Sequence, residues 1–144
     1  MKLLDYTGKL NDHEEYLKIL EKLKARSKYI EIVIIFEKEN NSLVDEFRND
    51  IIFSKKVSKW WGTETSAVNS LYRIKTSDKL FEYLAKYETF CKYLVADDEY
   101  YYDRQLTTDF GRDDIAFFDD NDIPLLFTTT HESYIYIRED LKDK

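Results

Sequence analysis

The sequence predicts an α+β fold in a single domain spanning residues 1-144, with a mostly antiparallel sheet and two main helices packed on it. Three observations lead there. Two segments, near residues 12-26 and 77-91, repeat apolar residues at helical spacing, whereas from Tyr93 onward the pattern is strand and turn throughout. No internal repeat, low-complexity tract or linker divides the 144 residues, and 43% hydrophobic content suffices for one continuous core. Strands and helices in this mixture pack as helices on one sheet.

Taken in order, Asn11 and Glu14 form a capping-box pattern ahead of a helix from about Asp12 to Arg26. Tyr16, Ile19, Leu20 and Leu23 give that helix one apolar face, and Lys22, Lys24 and Arg26 suit the negative end of its dipole. "YIEIVIIFEK" at 29-38 is β-branched and almost without polar interruption, the mark of a central strand covered on both faces. "ENNS" ends it, and Ser42 can cap a short helix carrying Leu43, Val44 and Phe47. "IIF" and "VSKWW" predict two strands divided by lysines, of whose tryptophans, Trp60 and Trp61, alternation buries one and exposes the other. Gly62 and "TETS" predict a turn, "SLYRIK" a half-buried strand, and Thr76 or Ser77 the start of a helix whose stripe is Leu80, Leu84, Tyr87 and Cys91 with Phe81 beside it. "DDND" at 119-122 lies between "IAFF" and "PLLFTTT" as a hairpin connection.

Composition narrows the function. The net charge is -7, and residues 97-122 hold ten acids against two bases, a local net of -8 that leaves the remainder at +1. Such a chain is not expected to track a nucleic-acid backbone or to dock on an anionic membrane; a basic protein partner suits it better. The lone Cys91 forms no intramolecular disulfide, and the N-terminus lacks a secretory apolar stretch, so the expected compartment is the cytoplasm. With three glycines, Gly8, Gly62 and Gly111, neither a phosphate-cradling loop nor a dinucleotide fingerprint can be built, and no cofactor is expected.

"DFG" at 109-111 lacks the glycine-rich and catalytic loops that would make it a kinase motif. "DDND" has no glycine at the sixth position of a calcium loop and is expected to be a solvated turn bonded to its own backbone. His131 and Glu132 lack the second histidine of a zinc helix, so no metal is expected. Acid-base chemistry by His131 with a carboxylate brought close by the fold stays open, beside the plainer reading of a histidine that ends a strand. The acidic segment interleaves carboxylates with rings, and its candidate contact residues are Tyr101, Tyr102, Asp113, Asp114, Phe118, Asp119 and Asp120. Carboxylates steer a basic partner and aromatics hold it, although a charge run is equally the pattern of a solvated face.

"WWGT" at 60-63, "LYRIKTSDKLFEYL" at 71-84, "DDIAFFD" at 113-119 and "LLFTTTHES" at 125-133 together resemble immunity proteins of bacterial polymorphic-toxin and contact-dependent growth inhibition systems. The resemblance implies a small cytoplasmic, non-enzymatic protein that binds one cognate toxin domain, often a nuclease with a basic cleft. Because the shared motifs are those of a framework, the resemblance assigns no binding residue. Two other readings are an acidic nucleic-acid mimic that inhibits a DNA- or RNA-binding enzyme, and a small hydrolase using His131.

Overall fold

A computed structural model describes residues 2-10, 12-34, 42-61, 64-90, 113-129 and 134-142. Their strands are β1 (Leu3–Asp5), β2 (Tyr29–Ile34), β3 (Ile51–Lys59), β4 (Glu64–Lys75), β5 (Asp114–Phe118), β6 (Pro124–Thr129) and β7 (Tyr134–Arg138). The helices are α1 (His13–Arg26), α2 (Ser42–Glu46) and α3 (Asp78–Leu84). The strands form one sheet in the order β1-β7-β6-β5-β2-β4-β3, and every neighbouring pair is antiparallel. The α+β architecture read from the sequence is the one found.

β2 is central, as its apolar run predicts. It is hydrogen-bonded to β4 on one side and β5 on the other, and all six of its residues are buried. Ile30, Ile32 and Ile34 point to the helical side, where they join Ile74, Ile115, Phe117, Ile135 and Ile137 in the main core. α1 delivers Tyr16, Ile19, Leu20 and Leu23 to this core, α3 delivers Leu80, Phe81 and Leu84, and α2 delivers Leu43 and Val44. Phe90 fits edge-on between Tyr16, 4.9 Å away, and Phe117, 5.9 Å away. The buried Tyr16 hydroxyl donates to the Leu84 carbonyl, which joins the two longer helices by a polar contact inside the core.

Several boundaries differ from the sequence reading. Asp12, not Asn11, occupies the N-cap of α1, where its carbonyl accepts from Tyr16 N–H at 3.0 Å and its side chain makes no capping bond; Asn11 lies outside the described residues. Ser77 does cap α3, its hydroxyl accepting from Leu80 N–H at 3.1 Å. That helix stops at Leu84 instead of continuing to Cys91, which is outside the described residues. Tight bonds from Lys86 and Tyr87 to the carbonyls of Tyr83 and Leu84 close the helix, and the turn returns Thr89 to the Leu10 carbonyl. The lysines at 55 and 56 do not divide two strands. β3 is continuous through them because it lies at the edge of the sheet, where long charged side chains reach water without interrupting the ladder. Glu64, Thr65 and Ser66 of "TETS", read as a turn, belong instead to β4, which begins at Glu64 opposite Lys59; Gly62 and Thr63 lie outside the described residues.

Leu84 is fully buried between α1, α3 and the sheet. Leu84→Ala is expected to lower the unfolding free energy by about 2 to 5 kcal/mol, whereas Lys18→Ala on the exposed face of α1 should change it by less than about 0.5 kcal/mol. Urea denaturation of the two variants measures both.

Candidate interaction surface

The candidate contact residues do not share one surface. Tyr101 and Tyr102 lie outside the described residues, as do His131, Glu132 and Ser133. Asp113 and Asp114 are buried, the latter completely, at the start of a strand whose other neighbours are core. Phe118 is also buried, stacked on Tyr29 with ring centroids 4.9 Å apart. The expectation that these three face a partner is therefore corrected: the alternation read as surface acid and surface ring belongs to β5, an inner strand covered on both faces. Of the described residues of this group, Asp119 is half-buried and only Asp120 is exposed.

The turn itself behaves as its residues predict, with Asp119 as organiser. One of its carboxylate oxygens accepts from the amides of Asn121, at 2.8 Å, and Ile123, at 3.1 Å. Asp122 takes the left-handed conformation, φ 62°, that a short polar residue tolerates. The other Asp119 oxygen accepts from Arg138 Nη1 at 2.7 Å. Arg138 is buried at the end of β7 and donates as well to both oxygens of Asp140, at 2.9 and 3.2 Å. Asp140 in turn receives Arg26 from the last turn of α1 at 2.7 Å. Two arginines and two aspartates thus fasten hairpin, final strand and helix together. With both oxygens of Asp119 engaged, the turn presents no calcium-loop geometry, and among the described residues no three His, Cys, Asp or Glu side chains are grouped to hold a metal.

The electrostatics follow from those contacts. The bond from Arg138, reinforced by Arg26, holds the Asp140 carboxyl down at about 2. Burial acts to raise Asp119, but its bonds to Arg138 and to the two turn amides outweigh that and hold it below the ordinary value. Across the turn, burial and a hydrogen bond to Asp122 push the Tyr29 phenol up to about 12.

On the sheet face away from the main core, a second cluster joins Tyr29, Ala116, Phe118 and Phe127. Glu31 lies buried beside it and is fully engaged: Trp60 Nε1 donates to Oε1 at 2.8 Å, and Arg73 donates from two nitrogens to Oε2 at 2.9 and 2.8 Å. The Arg73 guanidinium carbon lies 4.1 Å from the Tyr29 ring centroid and 4.4 Å from that of Phe53, so the cation is layered between two rings. Trp61, 52% exposed, tilts onto Phe127 at 6.0 Å, and Phe127 stacks on Tyr136 at 5.2 Å. Trp60 is partly buried and Trp61 exposed, as expected, but both follow the end of β3 and both meet this same face, so strand alternation is not what separates them. The Glu31 and Arg138 networks were missed in the sequence. Their signal was present, since a lone charge inside an apolar strand, as in "YIEIVI" or "YIYIR", demands a buried partner.

Both Asp119 and Asp140 have folded-state values below their unfolded ones, so the stability they contribute is complete above the ordinary carboxylate range, about 4. It is lost as pH falls through that range toward about 2, where Asp140 protonates. Asp140→Asn should flatten this acid limb of a stability-against-pH curve and leave the neutral-to-alkaline limb unchanged in shape. Thermal unfolding across the acid range reads the difference.

No family model, no curated protein and no solved structure matches this chain.

Proposed function

We propose that the chain is a non-enzymatic immunity protein that binds a cognate toxin domain, a nuclease with a basic cleft, and neutralises it. The observation that carries this reading is the charge distribution, in which one 26-residue segment, 97-122, contains the whole negative excess of the chain, interleaved with aromatic residues. The resemblance supports it in a second way. Three of its stretches lie largely on β4, α3, β5 and β6, and their side chains Leu71, Ile74, Leu80, Leu84, Ile115 and Phe117 are buried, whereas "WWGT" begins beyond β3 with Trp60 partly buried and Trp61 exposed. A likeness carried by core positions is a likeness of framework, and it leaves the exposed positions free to differ from one toxin partner to the next.

Among the described acids of the segment, Asp120 and Asp122 stand exposed on the turn beside Ile123, itself 46% exposed. Asp113 and Asp114 are buried and Asp119 is bound to Arg138, so of the segment's described acids Asp120 and Asp122 are the ones available to a basic partner. Exposed carboxylates act on the rate of encounter with a basic surface, and an exposed tryptophan such as Trp61 acts on the lifetime of the complex.

Co-expression with the C-terminal domain of the protein encoded immediately upstream tests the proposal, with relief of growth arrest and a stable complex as the expected outcome. In that complex, Asp120→Asn with Asp122→Asn should slow association by about two- to tenfold at low salt and flatten its salt dependence. Trp61→Ala should speed dissociation by about tenfold or more. Arrest that persists with folded, wild-type protein present sinks the immunity reading.

A further inference from the structure

On the helical side of the sheet, α2 and the short helical turn Arg48–Asp50 face α3 across a cleft of about 500 Å³. Its floor is aromatic. Phe47, buried, meets the half-buried Tyr83 edge-on, with ring centroids 5.5 Å apart.

The rims above that floor are charged, and oppositely. The α2 side presents Glu46 and Asp50 and no base, whereas α3 and the turn that ends it present Lys79 and Lys86 with Glu82 between them in sequence. Spacing at i, i+3, i+4 and i+7 puts Lys79, Glu82, Tyr83 and Lys86 on one side of the helix. All five charged residues are exposed, and among the described residues no ion pair joins the two rims. Lys86 leans over the floor, its Nζ 5.5 Å from the Tyr83 centroid, while Lys79, Glu46 and Asp50 take part in no ion pair among the described residues. Rims of opposite sign that do not close on each other leave both charges to an occupant of the gap, and the rings beneath offer it apolar area.

We infer that this cleft binds a small zwitterion with an apolar body, either a free α-amino acid with a large apolar side chain or a short peptide of such residues. Its ammonium faces Glu46 and Asp50, its carboxylate faces Lys79 with Lys86 beside it, and its side chain lies on Phe47 and Tyr83. A purely cationic ligand gains at the first rim and meets the lysines at the second; a purely anionic one meets the acids. The polarity of the cleft therefore selects a molecule that carries both charges. The inference is independent of the toxin reading, since it uses neither Trp61 nor the turn at Asp119.

The test titrates the full chain, labelled with nitrogen-15, with L-phenylalanine, with its C-terminal amide, which keeps the cation alone, and with N-acetyl-L-phenylalanine, which keeps the anion alone. L-phenylalanine is expected to shift the backbone amide signals of residues 46-50 and 79-86, with a dissociation constant on the order of 1 mM. Each single-charge analogue should bind about two- to fivefold more weakly, the loss that one exposed charge pair accounts for. The dipeptide Phe-Ala, whose charges stand further apart, distinguishes the two sources: tighter binding than L-phenylalanine assigns the cleft to peptides, and weaker binding assigns it to free amino acids. Glu46→Gln with Asp50→Asn should abolish the preference for L-phenylalanine over its N-acetyl form, and Lys79→Gln should narrow the preference over the amide. These side chains are exposed, so the variants should keep the fold, which circular dichroism checks. Unmoved signals in both segments at about tenfold the expected dissociation constant overturn the inference. So does equal binding of the three ligands, or tightest binding of the amide, the order that acids and rings without the lysines would give.

Discussion

Glu31 occupies the middle of a strand that is buried along its whole length and paired on both sides, and a carboxylate in that position is tolerated only with its partners in place. Those partners come from two separate places: Arg73 from β4, the neighbouring strand, and Trp60 from the residue that follows β3. Leaving such a charge without its counter-ion costs about 3 to 5 kcal/mol. Satisfying it draws the end of β3 across the second face of the sheet, sets Arg73 between Tyr29 and Phe53, and thereby fixes where Trp61 emerges. The exposed ring of Trp61 is thus positioned by a buried ion pair and not by a helix.

The second ionic network works at the start of β2, where α1 leads into it. Arg138, Asp119, Asp140 and Arg26 connect the hairpin between β5 and β6 to the end of β7 and to α1. Its effect on function is a division of labour among acids of similar appearance. Asp119 holds the turn in shape, and Asp120 and Asp122, one position to either side of Asn121, are the ones the turn presents to solvent. A charged segment counted as a whole overstates the charge available to a partner.

The sequence reading was strongest where one element carried its own pattern. β2, the apolar face of α1, the Ser77 cap and the hairpin around "DDND" all follow from local periodicity and turn chemistry, and each is found. It was weakest where the answer depended on sheet order. Whether Lys55 and Lys56 interrupt a strand depends on whether that strand is an edge, and whether Asp114 and Phe118 are exposed depends on whether β5 is interior. Neither question is posed by residues within the strand, because the deciding neighbours are strands 40 or more residues away in several of these pairs, such as Tyr29 with Phe118.

The order of the strands also governs how the chain is made. β2 lies between β4 and β5, and β5 is completed 84 residues after Ile34, so the most apolar strand of the protein is synthesised long before its second neighbour. At a translation rate of about 5 to 20 residues per second, it waits for roughly 4 to 17 s. During that interval "YIEIVI" is a segment of high β-propensity with one charge in its centre, and a central charge is what keeps such a segment from pairing with copies of itself on neighbouring nascent chains. Glu31 is then a gatekeeper before it becomes a counter-ion: its negative charge guards the strand until Arg73, supplied with β4 well ahead of β5, arrives to neutralise it.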